Sequence, residues 1–240
     1  MARTAIMNRV RIMVLIAITA LSSACASTLQ TRDVRPSGFL GEHSSLLQAG
    51  LEDEALRTYK KPTVHWAEYK KIILKPVAIW EGFSSKLGNQ QRQELVRLAG
   101  AFEDRLYLKL SKDYEMVEQP TAGTMLIQVA ITDAEESWIG PAVLSKAIPQ
   151  LQEMGRIWVG LRGAPAFTGE ITAQFKIHDA QTGELLAVGA DRRVSGRKLF
   201  DHEVFNSWSD VKNSLEFWTD LTTYRLCVLR GETGCVEPRT

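Results

Sequence analysis

The four histidines of this chain, His43, His65, His178 and His202, are the first residues to weigh for chemistry, and they are scattered without metal-ligand spacing. The densest polar cluster is Asp201-His202-Glu203. Adjacent side chains on an extended chain point to opposite faces, so these three cannot converge without an unusual turn. Asp133 and Glu135 are two apart at the end of an apolar run. They could share a strand face as paired carboxylates for acid/base work, but carboxylates at such a place are ordinarily polar punctuation. There is no G-x-S-x-G elbow and no phosphate-cradling glycine motif. Arg192, Arg193, Arg197 and Lys198 form a small basic cluster. On alternate strand positions Arg193 and Arg197 share a face. They could contact lipid phosphate or an acidic partner, with a hydrated strand end as the plainer reading. The residues thus predict no catalytic set, no metal and no cofactor.

The cysteines are more informative. Cys25 closes a three-part N-terminus: Arg3, Arg9 and Arg11 without an acid, then the apolar run "IMVLIAITAL", then small residues. That is the layout of a secretory signal. Ten apolar residues rise only ~15 Å as a helix, about half of a bilayer core, which argues against a permanent span. The stretch "LSSACAS" resembles the lipobox of bacterial lipoproteins, with Ser23 and Ala24 before Cys25 and Ser22 standing where leucine is usual. The resemblance implies a multiply acylated Cys25, and several acyl chains anchor stably where one does not. Ala26 is not the aspartate that retains such proteins in the inner membrane. By that analogy the destination is the outer membrane, facing the periplasm. Removing residues 1–24 leaves 216 residues and takes the formal net charge from +1 to −2. So balanced a chain offers no electrostatic footprint for nucleic acid. Cys227 and Cys235 are then the remaining thiols, and an oxidising compartment favours pairing them. Closing so short a loop contributes about 2.5 kcal/mol in the chain-entropy model.

The elements that must position these residues follow from periodicity. Residues 25–60 carry Pro36, Gly38, Gly41 and Gly50 and read as lipidated N-terminus, tether and capping segment. Within it Phe39, Leu40, Leu46 and Leu47 are too apolar for a solvated linker and are expected against the domain. The domain is placed at 61–230, with 231–240 as a tail. It opens with "YKKIILKPVAIW", a short β-branched run read as a central strand, where Pro76 argues for a bulge or an edge. Leu95, Leu98, Phe102, Leu106 and Leu110 then make the apolar stripe of a helix. A short strand at "YEMVE" and a one-sided strand over Met125, Ile127, Val129 and Ile131 come next. "EITAQFKIHDAQTGELLAVGADRRV" reads as a hairpin turning at Asp179 to Gly183. Trp208, Val211, Leu215, Trp218 and Leu221 give the last helix. The order β-α-β-β-β-β-α predicts a single α+β domain: a mostly antiparallel sheet of about five strands with two helices packed on one face.

The span 138–167 interrupts that domain. It holds many apolar residues and has Glu153 as its only acid against Lys146, Arg156 and Arg162. Two roles stay open. The favoured one is that it covers the sheet face the helices leave bare. The other is that Trp138, Ile139, Trp158 and Leu161, rimmed by Arg156 and Arg162, face a membrane or protein partner.

With these segments in place, the chain resembles the domain-of-unknown-function 3313 family of bacterial lipoproteins. The matching pieces are "SGFLGEHSSL", "YKKIILKPVAIW", "DAQTGELLA" followed by "DRR", and the tryptophan-rich last helix ending at Cys227. The resemblance implies a lipid-anchored envelope protein and supplies no activity, so no catalytic residue is carried over. The function expected is that of a non-catalytic, outer-membrane-anchored periplasmic lipoprotein, a binding or assembly factor held to the membrane through Cys25. The alternatives are a component or activator of a secretion or cell-wall complex and, less favoured, an envelope hydrolase using Asp133, Glu135 and Asp201.

Overall fold

The computed structural model describes residues 28–31, 33–34, 37–80, 88–138, 167–195 and 209–238. They form one nine-stranded mixed sheet with two long helices on it. In chain order these are β1 (Thr28–Gln30), β2 (Gln48–Ala49), β3 (Arg57–Lys60), β4 (Lys71–Leu74) and β5 (Ala78–Ile79), followed by α1 (Asn89–Leu110). Then come β6 (Glu115–Met116), β7 (Thr124–Trp138), β8 (Phe167–Asp179), β9 (Leu185–Ser195) and α2 (Ser209–Leu229). The main path is β2-β3-β9-β8-β7-β4-β6, with β1 also on β9 and β5 also on β7.

The α+β class and the two helices match the expectation, and the strand count does not. Three short strands, β1 to β3, fall within the stretch read as lipidated N-terminus, tether and capping segment, and β1 and β3 pair with β9. The sheet therefore begins at Thr28 rather than near residue 61. The run over Ile72 to Ile79 is not one strand but two, broken at Lys75 to Val77 around Pro76, which has no N–H for a ladder. Both pieces run parallel to β7, and β4 also runs parallel to β6. The connection from β4 through α1 to β7 is thus a parallel crossover, which only a helix-length link can make. The hairpin is as expected: β8 and β9 are antiparallel, and Gly183 turns at φ +75°.

Alternation splits the core in two. On the helix side, Met125, Ile127, Ile131, Ile171 and Ile177 bury against Leu95, Leu98, Phe102, Leu106, Val211, Leu215 and Trp218. The helices close on each other through the Phe102 and Trp218 rings, 6.5 Å apart, and through the Arg105–Glu216 and Lys109–Asp220 ion pairs. On the other side Val34, Phe39 and Leu40 bury against Ala130, Val188 and Ala190. Phe39 meets Trp80 edge-on at 5.8 Å, and Lys176 donates to the Phe39 carbonyl at 3.0 Å. The N-terminal segment, as its leucines and Phe39 predicted, lies on the domain, and it covers part of the face opposite the helices. Leu46 is the exception and stays exposed. The insertion beyond Trp138 lies outside the described residues up to 166.

Candidate functional site

The site is a cavity of about 110 Å³ between α2 and the sheet. Its floor is built by the inward faces of three strands: Ile127 and Val129 from β7, Ala173, Phe175 and Ile177 from β8, and Ala187 from β9. Its roof is Phe102 of α1 with Trp218, Leu221, Leu226 and Leu229 of α2. Two alanines in the floor explain why space remains, since α2 rests on sheet positions that have almost no side chain. Gly189 adds to this. It is the cross-strand partner of Phe175, and a Cβ there would stand 2.4 Å from the Phe175 ring and 3.1 Å from the Arg57 carbonyl. The ring thus leans over the bare glycine of β9.

One edge of the cavity is charged. Glu54 is 6% exposed and is paired with Lys60 and with Arg225 of α2, while Arg225 also holds Asp53. Burial pushes the Glu54 carboxyl up. Hydrogen bonds from Lys60 and the Leu51 N–H, together with the Arg225 charge, outweigh that and hold it below its ordinary value. This cluster fastens the last turns of α2 to the segment leading into β3.

At the other edge is Asp191, 4% exposed on the helix side of β9. Its Oδ2 accepts from Trp218 Nε1 at 2.7 Å and from Arg193 Nε at 3.0 Å. Its Oδ1 accepts from Gln30 Nε2 at 2.6 Å and from the Leu56 N–H at 3.0 Å. One carboxylate therefore joins β1, the approach to β3, β9 and α2. Arg193 is itself 3% exposed, with its guanidinium carbon 3.4 Å from the centre of the Phe217 ring. Burial pushes its pKa down and Asp191 opposes the shift.

The expectation that Arg193 offers an anion contact is corrected by this geometry. Its charge is spent on an internal carboxylate behind an aromatic ring, out of reach of solvent. Arg197, named with it, lies outside the described residues, as do Cys25, Ile139, Arg156, Trp158, Leu161, Arg162, Asp201 and His202. Trp138 is the last residue of β7, and only its backbone is described. Glu135 also lies in β7, and its side chain is outside the described residues. Cys227 and Cys235 form a disulfide, with Cα atoms 5.8 Å apart. Among the described residues no group of three or more His, Cys, Asp or Glu could hold a metal ion. No helix among them is long and apolar enough to cross a membrane.

Sequence reading missed Asp191 as a junction. The available signal was an aspartate and an arginine two apart on the same strand face, which is the spacing of an internal pair as much as of a solvated one.

A single open α+β sheet, with two helices on one side and an apolar cleft beneath the second, defines the class. Within that class the chain belongs to the DUF3313 family, described as proteins of unknown function, whose model matches residues 35–222. No curated protein matches it. Among solved structures it is similar to two PelC dodecamers from Paraburkholderia phytofirmans, each at 11% identity. One, a point variant, is covered over 92% of its length and covers 66% of this chain at a TM-score of 0.33. The other is covered over 97% and covers 76% at a TM-score of 0.34. Likeness at that level carries no argument about function.

Proposed function

We propose that the chain is a non-catalytic lipoprotein of the bacterial envelope. It is exported, acylated at Cys25 and held at the periplasmic face of the outer membrane, and it binds an apolar group in the cleft under α2. The observation that carries the binding role is the cavity itself. Its walls are mostly apolar side chains, with polar ones at the Glu54, Lys60 and Arg225 edge, at Asp191, and at Thr58, Gln174 and Thr222. Engineered apolar cavities of about 150 Å³ take up benzene, so this one suits the end of an alkyl chain or a single ring. The carrying sequence feature for the anchor is "LSSACAS" behind an arginine-flanked apolar run. The Cys227–Cys235 disulfide supports the same compartment, because such bonds persist outside the reducing cytosol.

Two measurements test the two halves. Wild-type protein should enter the detergent phase in a cloud-point partition, and Cys25→Ala should leave a soluble or inner-membrane-retained precursor. Recovery of the wild type in the aqueous phase would sink the anchor. For the cleft, cis-parinaric acid should bind saturably, and Ala187→Leu, which fills the floor, should weaken binding about tenfold or more. Equal binding by the filled variant disposes of the cleft as the site.

A further inference from the structure

One end of the sheet collects the points where the chain enters and leaves it. Thr28, the first residue of β1, is in register with Ser195, the last residue of β9. Phe167, the first residue of β8, is in register with Trp138, the last residue of β7. Glu170 of β8 pairs with Val194 of β9, so both rungs belong to the same end. The opposite end is the β8–β9 turn around Gln181, Thr182 and Gly183.

Cys25 precedes Thr28 by three residues. Three residues reach at most ~10 Å even when fully extended. A lipid on Cys25 is therefore not joined to the domain by a long tether, because the chain is already hydrogen-bonded into the sheet at Thr28.

We propose that the end of the sheet bearing the Thr28–Ser195 rung is a membrane-docking surface, held edge-on against a phospholipid bilayer, with the β8–β9 turn pointing away from it. The inference rests on the acylation of Cys25 proposed above. The argument for a bilayer as the occupant is the length of chain between the lipid and the sheet and the place where that chain ends. The last β7–β8 rung adds support from residue type, since it pairs a tryptophan with a phenylalanine. Tryptophan is enriched at the level of lipid headgroups. β9 has eleven residues and spans about 35 Å, which sets the height of the turn above the surface.

The test uses full-length acylated protein reconstituted into vesicles of phosphatidylethanolamine and phosphatidylglycerol carrying a rhodamine-labelled lipid as energy acceptor. A donor fluorophore is placed at Ser195→Cys or at Thr182→Cys. Energy transfer should be roughly threefold or more greater from Ser195, given the ~35 Å between the two positions. Equal transfer, or greater transfer from Thr182, overturns the proposal. Flotation of the same samples separates the two levels of inference. Labelled protein that fails to float with the vesicles defeats the anchor. Protein that floats yet transfers equally defeats the orientation alone. A third variant carries twenty Gly/Ser residues between Ala26 and Ser27, a coil of ~25 Å. It should lose most of the difference between the two sites, and a difference that persists undiminished also overturns the proposal.

Discussion

At the scale of single residues, Asp191 does more for this molecule than any group the sequence brings forward. It accepts four hydrogen bonds, from Trp218, Arg193, Gln30 and the Leu56 N–H, and it is nearly sealed from water. Removing it takes away the carboxylate that accepts from the Nε of a buried guanidinium. Breaking a buried pair from one side costs about 3–5 kcal/mol. Asp191→Ala should therefore fall in that range by denaturant unfolding, and adding Arg193→Met should recover part of the loss, because the cation that Asp191 faced is removed with it. A single variant losing less than about 1 kcal/mol, or a double variant worse than the single, refutes this account. The role was hidden in the sequence for a physical reason. Ala187, Gly189, Asp191 and Arg193 share one face of β9, and none of the four is a large apolar residue that would mark it as the inside. Only the register, which sets Arg193 against Ile171 and Asp191 against Ala173, shows that this face is under the helix.

At the scale of elements, what was legible is what carries periodicity. Both long helices have apolar stripes over ten or more residues, β7 and β8 have apolar residues at alternate positions, and β9 follows from the hairpin turn; each is present. The strands that escaped are two to four residues long and mostly polar. β1 and β3 are strands because β9 offers them a partner, and β2 because β3 does, not because their own sequence demands it, and tertiary pairing overrides propensity in this way. The β8–β9 turn lies between these cases, since its sequence states its own chemistry. Asp179 Oδ1 accepts from the N–H groups of Gln181 at 2.9 Å and Thr182 at 2.7 Å, and Oδ2 accepts from the Tyr69 hydroxyl at 3.0 Å. Burial raises the carboxyl's pKa, but the Thr182 N–H, the Tyr69 hydroxyl and the Gln181 N–H outweigh it and hold the value below the ordinary one. A depressed folded pKa gives stability that is present above the unfolded pKa and is lost as pH falls through the folded one. Asp179→Asn should thus cost about 1 kcal/mol near neutral pH, a figure already reduced for the exposure of the turn. The gap from wild type should close in acid, as the wild-type carboxyl protonates. Denaturation midpoints across the acid range would show this, and a gap that widens on acidification contradicts it.

At the scale of the whole molecule, the ends of the chain hold the two layers together. The N-terminal segment supplies the second core of Val34, Phe39 and Leu40, while α2 supplies the roof of the cleft and reaches back to Asp53 and Glu54 through Arg225. No periodicity announces a contact between residue 54 and residue 225, because it depends on where the sheet puts both. The disulfide acts at this level. Cys227 lies in the last turns of α2, and Cys235 follows the glycine turn at Gly231, so the bond pins the chain end to the helix that closes the cleft. The tail at 231–240 is thus fastened to the domain at Cys235, as the expected pairing of the two cysteines implies. By the chain-entropy account the short loop contributes about 2.5 kcal/mol. For a domain of this size that corresponds to a fall in thermal midpoint of about 5–10 °C in the Cys227→Ser, Cys235→Ser double variant. The loss should be concentrated at the C-terminal end of α2, so hydrogen exchange should quicken from about Arg225 onward before it changes in β7 or β8. Leu226 and Leu229 roof the cleft at that end. Chain-acid binding should therefore weaken in the double variant even at temperatures where the sheet is fully folded. Unchanged exchange and unchanged binding would mean that packing against the sheet already holds the helix end, leaving the bond to act only on the unfolded chain.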